Sequence, residues 1–107
     1  MLRSGRFTVC NSEDLENGSA ICVRAGGHLI ALFRAGEQIF ALDDTCSHAQ
    51  ASLSEGDIDI NCMTVSCPLH GAIFDLGSGE ALSSPATSPV KSYAAEETGT
   101  EIVVTIP

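Results

Sequence analysis

Two short segments constrain this chain more than any other feature. Cys46 and His48 stand two positions apart, and Cys67 and His70 three apart, with residues 49–66 between the pairs. In an extended segment, side chains at i and i+2 point to the same side, so Cys46 and His48 form one hook. Cys67 and His70 bracket Pro68 and Leu69 and are followed by Gly71. Pro68 removes a backbone donor and stiffens the turn, and Gly71 lets the backbone come close to a bound group. The scaffold must bring two separate loops side by side, each offering one thiol and one imidazole.

That mixed pairing narrows the metal. A closed zinc site accepts two Cys and two His, but zinc-finger spacing usually pairs Cys with Cys and His with His. In a two-iron cluster where one iron takes both cysteines and the other both histidines, each loop supplies one ligand to each iron. Two mixed hooks follow directly, so the pattern favours a [2Fe–2S] cluster, with zinc as the alternative.

The rest of the chain reads as short strands punctuated by turns. Residues 6–10 (RFTVC), 19–24 (SAICVR), 28–35 (HLIALFRA), 37–43 (EQIFALD), 72–75 (AIFD), 90–95 (VKSYAA) and 101–107 (EIVVTIP) are expected strands. Gly26 and Gly27 supply the positive φ of a tight hairpin. In 28–35, Leu29, Ala31 and Phe33 alternate with Ile30, Leu32 and Arg34, which predicts partial cover on both faces. ENGS and EGDIDIN read as loops, and no segment sustains a helical apolar period. The expected fold class is all-β, a sandwich or small barrel.

Composition fits one globular domain: 107 residues, 44% hydrophobic and 18% charged. Fourteen acidic against five basic residues give a formal net charge of −9, which disfavours nucleic acid and anionic membrane as partners. The start, MLRSGRFTVC, lacks the apolar run of a signal peptide, and no stretch approaches the ~18 apolar residues of a membrane span. The expected location is the cytoplasm, where Cys/His pairs bind metal more often than cysteines bridge.

The hooks and their surroundings, FALDDTCSH, LSEG and CPLHGAIFDLGSGEALSSPA, resemble the Rieske [2Fe–2S] family, whose signature is C-x-H followed by C-x-x-H-G. The likeness covers essentially the whole chain and is strongest from Phe40 to Pro85. It is similar to the soluble ferredoxin components of aromatic-ring-hydroxylating dioxygenases, those of carbazole dioxygenases being the nearest kind. The resemblance implies a Rieske fold of antiparallel sheets in one domain, 1–107. A small cluster-binding subdomain, about 41–84, would sit on a basal one of 1–40 and 85–107. Cys46, His48, Cys67 and His70 would ligate one cluster, and a third loop with Ser84 and Pro85 would pack over it. It also implies a non-enzymatic one-electron carrier between an NAD(P)H-dependent flavin reductase and a terminal oxygenase in aromatic catabolism. Such a carrier would be monomeric and would dock through the surface around His48 and His70.

Other readings fit less well. An oxygenase needs a mononuclear iron held by two His and a carboxylate, and only His28 remains outside the hooks. Respiratory Rieske subunits carry an extra, bridged Cys in each loop, where this chain has Ala51 and Leu69. Their Ser two residues and Tyr four residues after the second ligand His correspond here to Ala72 and Phe74, neither a donor. Nitrite reductase small subunits tend to lose ligands, whereas all four are present. His28 reads as a surface or hairpin residue, and Cys10, Cys22 and Cys62 as buried small hydrophobes. Tyr93 and the phenylalanines read as core. Asp43 and Asp44 read as a solvated turn, with partner contact as the other use.

Overall fold

A computed structural model describes residues 4–46, 51–69, 71–83 and 88–107. Among them are nine strands and no α-helix. They are β1 (Gly5–Asn11), β2 (Ala20–Ala25), β3 (His28–Ala35), β4 (Gln38–Asp43), β5 (Asp57–Asp59), β6 (Thr64–Ser66), β7 (Ile73–Asp75), β8 (Ser92–Thr98) and β9 (Glu101–Ile106). Two single 3-10 turns, Ser12–Asp14 and Leu53–Glu55, interrupt the connections.

Six strands form one antiparallel sheet in the order β1-β9-β8-β4-β3-β2, and β5-β6-β7 form a second, smaller one. The large sheet curls until Cα atoms of its two edge strands, β1 and β2, lie within 8 Å of each other. Gly26 and Gly27 adopt φ of 58° and 88°, the left-handed pair that a two-residue hairpin between β2 and β3 requires.

The period-2 alternation of β3 divides the interior into two cores. Ile30 and Leu32 point into the curled sheet, with Ala41, Tyr93, Ile102 and Val104. Ala31 and Phe33 point the other way, against Leu42, Leu53, Val65, Phe74 and both hook cysteines. These four β3 residues are fully buried, while Leu29 is exposed and Arg34 half-buried, so both faces are partly covered, as expected. At the end of the barrel away from the hooks, the Arg34 guanidinium donates to the Leu15 and Ser12 carbonyls and to Glu97. That contact holds the Glu97 carboxyl below the usual carboxylate range, chiefly through the hydrogen bond itself.

The small sheet departs from expectation. EGDIDIN, read as a loop, contains β5, and β6 follows it. Aspartate disfavours strands, and three residues are too few to show alternation. The strand forms because Ile58 pairs with Val65, and Val65 in turn with Phe74, laying one apolar face on the second core. In the β5–β6 turn, Asp59 Oδ1 accepts from the Asn61 and Cys62 N–H groups at 3.0 and 3.1 Å.

Candidate functional site

The first hook grows out of the end of β4. Asp43 N–H donates to the Lys91 carbonyl at 2.8 Å, and Asp44 N–H to the Leu29 carbonyl at 3.0 Å, fixing the point where the chain leaves the sheet. Thr45 bridges Ser52, and Cys46 N–H donates to the Ala51 carbonyl at 2.9 Å. Asp44 then closes the neck of the loop. Its carbonyl accepts from Leu53 N–H at 2.7 Å, and its Oδ1 accepts from Ser54 N–H at 3.0 Å, capping the 3-10 turn.

The second hook is a tight turn after β6. Cys67 N–H donates to the Ala72 carbonyl at 2.7 Å, and Gly71 N–H to the Cys67 carbonyl at 3.0 Å. Gly71 takes φ +73°, which an L side chain would strain. A third segment lies along β7: Leu82 N–H donates to the Ile73 carbonyl, and Ile73 N–H to Ser83 Oγ. Ser84 and Pro85, expected over the site, lie outside the described residues.

The two hook thiols share one core, Cys46 being 4% and Cys67 1% exposed, and none of the five cysteines is in a disulfide. His48 and His70 lie outside the described residues. Around the hooks the surface is apolar in places: Leu69, Leu82 and Leu29 are 58%, 51% and 43% exposed. An open groove of about 600 Å³ runs between Leu29, Asp44, Thr45, Ala51, Ser52, Glu55 and Pro68.

Two sequence readings need correction. Cys22 and Cys62 are exposed, whereas Cys10 is half-buried and packs against the core around Ile102 and Val104. Cys22 lies on the outer face of edge strand β2, and Cys62 in the β5–β6 turn. All three thiols are pushed up: Cys10 by burial and then Asp14, Cys22 by burial and then Asp44, Cys62 by its hydrogen bond to Asp59. None of the three belongs to the buried cluster that holds Cys46 and Cys67. Asp44 is not solvated but 2% exposed, the one buried charged side chain among the described residues. Adjacent acids ordinarily indicate a wet turn; the signal for Asp44 was the 3-10 turn nearby, whose first N–H groups need an acceptor.

Asp43 and Tyr93 form a further polar link. Tyr93, 8% exposed, donates its hydroxyl to Asp43 Oδ1 at 2.7 Å and lies 3.4 Å from His28 Nδ1. Burial, then the Asp43 carboxylate, pushes the phenol up, so it stays a donor at neutral pH. Tyr93 is therefore packing, as expected, with a polar tip. His28 begins β3 beside the Gly-Gly turn and stacks obliquely on Tyr93.

Two buried thiols on adjoining loops of a small β scaffold suit an iron–sulfur centre, since thiolates are the soft ligands such clusters take. The Rieske [2Fe-2S] domain family matches residues 5–94. The chain is 39% identical over 102 residues to a 3-phenylpropionate/cinnamic acid dioxygenase ferredoxin subunit of Shigella boydii, covering 95% of this chain and 94% of that one. Its structure superposes on the ferredoxin of carbazole 1,9a-dioxygenase from Nocardioides aromaticivorans with a TM-score of 0.92 at 30% identity, over 97% of this chain and all of that one. A ferredoxin in a complex of reduced oxygenase and oxidised ferredoxin of carbazole 1,9a-dioxygenase matches with a TM-score of 0.86 at 36% identity, over 96% and 94% of the two chains. The chain belongs to the Rieske [2Fe–2S] family. It carries one Rieske-type [2Fe–2S] cluster on an all-β antiparallel fold.

Proposed function

We propose that this chain is the ferredoxin component of an aromatic-ring-hydroxylating dioxygenase system, a one-electron carrier that performs no catalysis itself. The observation that carries the reading is the pair of buried thiols, Cys46 and Cys67, held by separate loops in one core. Full-length likeness to dioxygenase ferredoxins supports it. Cys46, His48, Cys67 and His70 would hold the cluster. The cluster supplies one-electron redox chemistry; the chain's own residues hold it and shield its thiolate side. The separate β5–β7 sheet supports a division into a cluster-binding subdomain, about 41–84, and a basal subdomain of 1–40 and 85–107.

Electrons come from an NAD(P)H-dependent flavin reductase and go to a terminal oxygenase, both docking where His48 and His70 lie. Exposed Leu69, next to His70 in sequence, and exposed Leu82 offer apolar contact area. The acidic surface suits basic docking patches on either partner. The chain works as a monomer in the cytoplasm; among the described residues no helix is long and apolar enough to cross a membrane.

The test is turnover in a reconstituted chain. Holoprotein should be reduced by NADH through a flavin reductase and reoxidised by a ring-hydroxylating oxygenase with its aromatic substrate and O₂. A holoprotein reducible by dithionite yet inert towards every such pair refutes the reading.

A further inference from the structure

The two hooks are joined by a contact that depends on a missing side chain. From Cys46 the chain returns through Leu53 and Ser54, both fastened to Asp44, and Gly56 N–H donates to the Leu53 carbonyl at 3.0 Å. Gly56 leads into β5, whose first residue, Asp57, pairs with Ser66, the residue before Cys67. A Cβ on Gly56 would lie 1.9 Å from the Ser66 carbonyl oxygen and 3.1 Å from its carbon. Real Cβ atoms essentially never come as close as the first of these distances, and neither partner is a side chain able to swing aside. Gly56 has φ −84° and ψ 177°, a conformation open to any residue. The glycine is therefore required by contact and not by backbone freedom.

We propose that Gly56 is a positioning residue for the [2Fe–2S] cluster: its bare Cα against Ser66 sets the spacing of Cys46 and Cys67. The inference rests on the assignment of those two thiols as ligands. The route is short and continuous, running from Cys46 through the Asp44 clamp and Gly56 to Ser66 and Cys67. Alanine at 56 must push β6 and the second hook away from the first. The barrel core around Ile102 and Val104 is a separate cluster and does not take part.

The experiment compares Gly56→Ala with Ile102→Val, which trims the other core. Each holoprotein is measured for visible circular dichroism, reduction potential and rate of iron release to a chelator. Ile102→Val should lower the thermal midpoint and leave all three signals as in the native protein. Gly56→Ala should change the dichroism, move the potential and weaken iron retention by about 10–100-fold, the range seen when residues supporting a metal ligand are altered. If Gly56→Ala yields no holoprotein, amide exchange of β8 and β9 in the apoprotein should still show a protected barrel. Native dichroism, potential and release rate in Gly56→Ala overturn the proposal, as does loss of barrel protection. A Gly56→Ala effect matched by Ile102→Val also overturns it. Should Cys46→Ser and Cys67→Ser keep a native spectrum, the ligand assignment fails instead.

Discussion

Replacing Ala72 by Ser and Phe74 by Tyr adds hydroxyls where the second hook hands over to β7. Both positions are fully buried in the core that holds Cys46 and Cys67. The Ala72 carbonyl already accepts from Cys67 N–H. A buried hydroxyl without a partner costs about 1–3 kcal/mol, so each new group either finds a cluster sulfur or destabilises the chain. A donor aimed at sulfur favours the reduced, more negative state and raises the potential. For one electron, a differential of about 1.4 kcal/mol corresponds to about 59 mV. Rieske centres span about −150 to +300 mV. Without these hydroxyls the native potential should lie below zero. Each substitution should raise it by about 60 mV, read by voltammetry beside a thermal melt. A native value near the top of the range refutes the reasoning. So does an unchanged potential with stability lost, since the hydroxyls would then not face the cluster.

Three further outcomes follow from the geometry. Cys10→Ser/Cys22→Ser/Cys62→Ser together should leave the visible spectrum native, because these thiols lie outside the core that holds the ligand pair; bleaching would mean that the ligand set is wrong. Electron transfer to reductase and oxygenase should slow as ionic strength rises from 0.01 to 0.1 M, where the Debye length falls from ~30 to ~10 Å; a flat profile in stopped-flow rates would leave the charge of −9 to solubility alone. Met63 sits at φ 58° in the β5–β6 turn, where a side chain costs about 1–2 kcal/mol, so Met63→Gly should raise the thermal midpoint by a few degrees, net of glycine's entropy of about 0.5–1 kcal/mol. A lowered midpoint would show that the Met63 side chain contributes more than the turn is strained.

Where a strand's pattern reflects its own burial, the sequence was legible. The alternation in 28–35 anticipated two covered faces, and Gly26-Gly27 anticipated the hairpin that the φ values show. The mixed hooks named the cluster chemistry because ligand type and spacing are local properties. Features created by distant partners were not legible. β5 is a strand only because Val65 pairs with Ile58, and Asp44 is buried only because the loop neck folds over it. Cys22 follows an apolar residue in sequence, yet edge strand β2 turns it outward. Gly56 gave no sign of its role, since its dihedrals are ordinary and its close contact lies ten residues away at Ser66.

The ligand set is tested most directly by metal and sulfide analysis with nitrogen-sensitive pulsed electron paramagnetic resonance on the reduced protein. The account predicts two iron and two acid-labile sulfide per chain, with two imidazole nitrogens coupled to the cluster and both couplings absent or altered in His48→Cys or His70→Cys. One zinc with no iron, or a reduced cluster showing no coordinated nitrogen, would contradict it.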